Sequence, residues 1–255
     1  MNDNSILRIE DLVNNPTPRV PICLCLDASG SMGAIVEGER EATGETIVED
    51  GRTWNVVRGG ISRMNKLQEG IQAFYDAIKE DEIAVYSAEI CIVIFNDKAS
   101  CILDFANIER QEKIPELIPS GNTSMGEGVN LALDLLEQRK QEYRDKGVDY
   151  YQPWLVLMTD GVPNGDEQEL NRAISRTTEA VEQRKLSIFP IAIGNESDIS
   201  VLNRFSPKRS ALKLQGIKFR EFFAWLSKSV SKTSQSTPGE NVKLDIEGIK
   251  GWAEL

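Results

Sequence analysis

Asp27, Ser29 and Ser31 stand at alternate positions in Asp27-Ala28-Ser29-Gly30-Ser31-Met32-Gly33. Directly after an apolar run, that spacing lets three oxygen-bearing side chains converge on one side of a strand end. A second carboxylate, Asp160, follows the run Trp154-Leu155-Val156-Leu157-Met158 in Thr159-Asp160-Gly161. A further hydroxyl, Thr123, lies in Ser120-Gly121-Asn122-Thr123-Ser124, just ahead of a helical stretch. All these donors are hard oxygens, so Mg²⁺ or a similar hard cation such as Mn²⁺ or Ca²⁺ fits and zinc does not. Where carboxylates bind through water and hydroxyls bind directly, the ion stays electrophilic toward an outside acid. The expected chemistry is a binding site whose missing ligand is a partner's Glu or Asp side chain.

Taken singly, each segment has a plainer reading. Asp-x-Ser-x-Ser fixes only three positions. A Ser- and Gly-rich stretch after a strand can be a turn with capping residues, Thr123 an N-cap, and Asp160-Gly161 a turn. What distinguishes them is that all three fall at one predicted sheet edge.

The positioning elements are four apolar runs: 21–26, 90–95, 154–158 and 188–193. None alternates strictly with polar residues, which suits strands covered on both faces. Helical stripes lie between them: Met64, Leu67, Ile71, Phe74 and Ile78; Val129, Ala132, Leu133 and Leu136; Leu170, Ile174, Thr177 and Val181. Strands alternating with helices predict a doubly wound α/β fold, and the carboxyl ends of its strands line the ligand crevice. Asn96-Asp97-Lys98 is too short for a crossover, so Ala99–Phe105 must return antiparallel as an edge strand. With a short strand at 211–214 and a last helix carrying Phe219, Phe222, Phe223 and Leu226, the expectation is a six-stranded sheet, mostly parallel, with helices on both faces. The main domain is expected over 18–230. Residues 34–60 form a polar insertion with a hairpin over 45–57 that turns at Asp50-Gly51. Ser229 to Gly239 reads as linker, and 231–255 as linker plus a tail whose Leu244, Ile246, Ile249 and Trp252 could dock.

The chain has 255 residues, with 29 basic against 40 acidic side chains and a net charge of −11. Such acidity argues against nucleic acid and anionic membrane surfaces as partners. No apolar run nears the roughly 18 residues of a membrane span, and no secretory leader is visible, so a cytoplasmic location is expected. There is no histidine, which removes Ser-His-Asp and Cys-His catalysis and every His-ligated metal site. Cys23, Cys25, Cys91 and Cys101 sit in apolar runs without a Cys-x-x-Cys, and read as small buried hydrophobes rather than a disulfide framework or zinc site.

The Asp-x-Ser-x-Ser loop, the later Thr in a Gly-containing loop and Thr-Asp-Gly after another strand resemble the von Willebrand factor A domain with its metal-ion-dependent adhesion site. The resemblance covers residues 18 to 230. It implies hydroxyl ligands at Ser29, Ser31 and Thr123, with Asp27 and Asp160 binding directly or through water. Within that family, V-P-I-C-L-C-L-D-A-S-G-S-M, S-G-N-T-S-M-G-E-G and F-F-A-W-L-S-K-S-V resemble the bacterial tellurium-resistance TerY type. That likeness implies an intracellular adaptor in stress-resistance or phage-conflict systems, beside phosphatase-like and kinase-like proteins. One departure is the stretch of about 27 residues between the metal loop and the Met64 helix, which should place the insertion beside the metal face. Trp54, Met32 and Asn122 are the candidate partner contacts.

Two other functions are compatible with the residues: an adaptor of an AAA+ ATPase, which would use the same face, and a metal-dependent hydrolase. The hydrolase reading lacks support. Asp27 has Ser29 where haloacid-dehalogenase-like phosphatases carry a second Asp, and Ser31 lacks both the first Gly of a nucleophile elbow and a His base. A non-enzymatic role is expected.

Overall fold

A computed structural model describes residues 12, 14–39, 41–49, 52–194, 199–240, 242, 249, 253 and 254. Its centre is β1 (Val20–Asp27), buried at every position. β1 pairs in parallel with β6 (Ala88–Phe95) on one side and with β8 (Trp154–Thr159) on the other. Continuous apolar sequence forms these strands because both faces are covered. Ile22, Leu24 and Leu26 enter one core, and Cys23 and Cys25 the opposite one.

β9 (Ser187–Ala192) and β10 (Leu212–Leu214) extend the parallel sheet beyond β8. β7 (Ala99–Asn107) returns antiparallel along β6 at the far edge. These six strands match the expected sheet. A seventh piece, β11 (Ala253–Glu254), pairs antiparallel with β10 and sits beyond it in the order β11-β10-β9-β8-β1-β6-β7. The tail therefore docks on the sheet edge, with Ile249 and Ala253 buried. Leu244, Ile246 and Trp252 lie outside the described residues.

One face carries α1 (Arg63–Lys79) and the last helix, α6 (Phe219–Ser234), whose Phe74 and Phe223 rings meet at 5.6 Å. Between α1 and β6 lies one short turn, α2 (Ala84–Ser87). The other face carries α3 (Met125–Lys146), α4 (Glu167–Glu182) and the short α5 (Ile199–Phe205). Each apolar stripe seen in the sequence turns inward. α6 runs further than expected, because Ser229–Ser234 are helical rather than linker. The hydroxyls of Ser229 and Thr233 donate to the carbonyls of Trp225 and Ser229, so these side chains fold back onto the helix and need no loop.

The insertion builds two small antiparallel pairs. β2 (Ile35–Glu37) pairs with β5 (Ile61–Ser62), and β3 (Glu41–Glu49) pairs with β4 (Arg52–Arg58). Glu49 lies opposite Arg52, and the expected turn residues Asp50-Gly51 lie outside the described residues. Among the described residues, no helix is long and apolar enough to cross a membrane.

Candidate metal centre

β1 and β8 are hydrogen-bonded neighbours that end together, so Asp27 and Asp160 emerge side by side from distant stretches of the sequence. Both are buried, at 0% and 1% exposure. Asp27 Oδ1 accepts the Ser29 N–H at 2.8 Å and Oδ2 accepts the Thr159 hydroxyl at 2.5 Å. Burial pushes the Asp27 carboxyl up to about 6; bonds from Ser29 and Thr159 pull against that rise, and the nearby Asp160 adds to it. Among the described residues, no cation pairs with Asp27.

The loop after β1 is stitched to the 120–124 loop by the main chain: Gly30 N–H donates to Gly121 O at 3.0 Å and Ser120 N–H to Ala28 O at 2.8 Å. Ser31 Oγ donates to Asp160 Oδ1 at 2.6 Å, and Ser29 Oγ lies 3.0 Å from Ser31 Oγ. With its own hydrogen given to Asp160, Ser31 can only accept from Ser29, whose hydroxyl also has the Asp27 carboxylate as a partner.

Thr123 closes the third side. Its N–H donates to Asn164 Oδ1 at 2.7 Å. A Cβ added to Gly161 would sit 3.7 Å from Thr123 Oγ1 and 4.0 Å from Ser31 Oγ. The missing side chain of Gly161 thus leaves a methyl-sized space faced by two hydroxyls. Ser31 is exposed while Ser29 and Thr123 are buried, so this space opens outward past Ser31. Gly121 holds its loop at φ +66°, and a Cβ there would lie 2.4 Å from the Asp97 carboxylate. That close approach lets Asp97 Oδ1 accept the Asn122 N–H at 2.9 Å and fix the Thr123 loop.

The five oxygen-bearing residues picked from the sequence therefore meet at one place. The partner contacts fare differently. Met32 is fully buried in the core under the loop, so no partner can reach it; a thioether in a short 3-10 turn fills the gap above α1. Asn122 is exposed, with its amide also bonded to Asp97. Trp54 pairs through its backbone with Ile47, and its side chain lies outside the described residues.

Sequence reasoning missed Arg63. Its guanidinium bonds Asp160 Oδ2 at 2.6 Å, and its side chain is 19% exposed. Arg63 opens α1, where the Ser62–Asn65 capping box sets the helix start and Arg63 N–H bonds Ala34 O at 3.0 Å. No spacing rule links a residue beyond the insertion to a strand end, so nothing local marked it. Asp97 and Asn164 were missed for the same reason.

The donors suit a hard divalent cation. They are carboxylate and hydroxyl oxygens around a gap, and the buried carboxylates have one partly exposed guanidinium for two negative charges.

A family model described as von Willebrand factor type A domain matches residues 22–220. Among solved structures, a von Willebrand factor type A protein from Catenulispora acidiphila is similar with TM-score 0.57 and 14% identity, over 85% of this chain and 43% of that one. The pilus adhesin SpaC from Lactobacillus rhamnosus GG has TM-score 0.57 and 12% identity, over 85% and 31%. BatB from Bacteroides thetaiotaomicron, described as a conserved hypothetical protein, has TM-score 0.50 and 16% identity, over 86% and 100%. The chain thus spans less than half of the first two proteins. No curated protein matches it by sequence.

Proposed function

Because the chain belongs to the von Willebrand factor type A domain family, whose members commonly mediate protein–protein interaction, we propose that it is a cation-dependent protein-binding adaptor. Ser29, Ser31 and Thr123 would hold Mg²⁺, or Mn²⁺ or Ca²⁺, through their hydroxyls, with Asp27 and Asp160 binding directly or through water. When bound, the ion would offer a vacant coordination position to a carboxylate from a partner protein.

The observation carrying this reading is the gap at Gly161 between the Thr123 and Ser31 hydroxyls, backed by two buried carboxylates. The chain's own groups prepare the site. Thr159 and the Ser29 N–H orient Asp27, while Ser31 and Arg63 orient Asp160. Asp97 and Asn164 hold the Thr123 loop from outside. The insertion leaves directly from the metal loop through β2 and carries the β3–β4 hairpin, so it is the element that would set which protein docks. The TerY-type likeness supports an intracellular place in a bacterial stress-resistance or phage-conflict system with phosphatase-like and kinase-like partners.

Calorimetry of the full chain tests the site. Saturable uptake of Mg²⁺ or Mn²⁺ is expected, abolished by Asp27→Ala with the circular dichroism spectrum retained. Equal uptake by that variant would refute the assignment. Recovery of a partner from native extract should be lost in EDTA and restored by Mg²⁺.

A further inference from the structure

A second group of donors lies at the other side of the same sheet, and it is soft. Cys23, Cys91 and Cys101 come from three adjacent strands, β1, β6 and β7. Cys23 is the direct register partner of Cys91. Cys91 Sγ lies 3.9 Å from Cys101 Sγ. One ligand atom each from Cys91, Cys101 and Asp104 all lie within 4.8 Å of one another.

The backbone explains how a carboxylate joins this row. Ile92 pairs with Leu103, but Ile90 pairs with Ala106. Two residues of β7, Asp104 and Phe105, therefore stand opposite the single residue Cys91. Such a bulge re-aims side chains, and here it brings Asp104 toward the thiols while Phe105 remains buried.

We propose that Cys91, Cys101 and Asp104, with water as fourth ligand, form a zinc site at the β6–β7 edge. Tetrahedral zinc with bonds of about 2.3 Å to sulfur puts its sulfurs about 3.8 Å apart, so the spacing of Cys91 and Cys101 already fits. Thiolates select zinc and its softer relatives over Mg²⁺, the reverse of the oxygen cluster at Asp27. Cys101 is exposed on the edge strand, where a thiol gains little from burial but gives an ion a way in. It departs in this from the expectation that every cysteine is a buried hydrophobe. Binding releases the thiol protons to solvent, with no change of oxidation state.

The test uses the full chain, reduced and freed of metal, with Co²⁺ as spectroscopic probe. A thiolate-to-cobalt charge-transfer band should saturate at one equivalent, collapse when Zn²⁺ is added, and ignore excess Mg²⁺. Losing a supporting group alone costs roughly 10–100-fold in metal affinity, so Cys101→Ser should cost at least that, and Asp104→Asn should weaken binding too. Both positions are exposed, which protects the fold. Cys25→Ser, one step along the same face of β1, should keep the band. Absence of the band in the parent chain, or its survival unchanged in Cys101→Ser, would overturn the proposal. Neither result bears on Mg²⁺ uptake at Asp27.

Discussion

Strand β1 lies between two buried charge centres that are balanced differently. Just before its start, Arg19 lies 3.0 Å from Glu89, which also receives Arg139 at 2.7 Å and the Tyr143 hydroxyl at 2.5 Å. Two carboxylates there face two guanidinium groups, since Glu142 also bonds Arg139 at 2.6 Å; Arg19, Glu89 and Arg139 are all at 0% exposure. At the other end one guanidinium, from Arg63, which solvent reaches, pairs with Asp160, and among the described residues none pairs with Asp27. A buried charge is tolerated when paired and costly when not. The Glu89 cluster closes its electrostatics internally and ties β6 to α3. The Asp27 cluster leaves about one negative charge for something from outside to meet.

Breaking the closed end should give the largest effect. Glu89→Gln removes the carboxylate that the two buried guanidinium groups have in common, and about 3–5 kcal/mol of stability should be lost in urea denaturation. Mg²⁺ uptake by the folded fraction should be unchanged. An undiminished urea midpoint would mean that the two centres are not different in kind.

Removing charge at the open end should act in the opposite sense. Asp27 has a folded-state value of about 6 against 3.8 for the free side chain. The native state then holds its proton more tightly than the unfolded state, so stability falls as pH rises from about 4 to 6 and stays lower above that. In metal-free buffer at pH 7, Asp27→Asn should therefore gain up to about 2–3 kcal/mol. The gain should vanish near pH 4, and cation uptake should be abolished. A variant less stable than its parent at pH 7 would show that Asp27 is already compensated.

Gly161→Ala fills the gap without straining the chain, since its Cβ meets nothing closer than 3.7 Å. Its melting temperature should stay within a degree or two while Mg²⁺ affinity falls by about tenfold, a difference of roughly 1.4 kcal/mol. The smallest effect belongs to Arg63→Gln, which frees Asp160 from a partly exposed ion pair of roughly 0.2–1 kcal/mol. Mg²⁺ affinity should rise by up to about fivefold in calorimetry. A fall would make Arg63 an aid to the ion rather than its rival.

The two ends also differ in how far the sequence foretold them. Asp27, Ser29, Ser31 and Asp160 were legible from short local spacing after apolar runs, and Thr123 from its Gly-containing loop ahead of a helical stretch. The sheet was legible because buried parallel strands leave unbroken apolar stretches such as 90–95. Arg63 and Glu89 were not, since each finds its partner across more than 40 residues of chain. Met32 went wrong because proximity to a motif in sequence says nothing about which way a side chain turns. Ser229 to Ser234 went wrong because their hydroxyls bond back to the helix rather than breaking it. β11 lay hidden because two residues carry no pattern.

Anomalous scattering from crystals of the full chain grown with Mn²⁺ gives the most direct test that the open end seats a cation. A single peak is expected about 2 Å from the oxygens of Ser29, Ser31 and Thr123, with Arg63 drawn away from Asp160. No peak there, with the Arg63–Asp160 pair intact at saturating Mn²⁺, would contradict it.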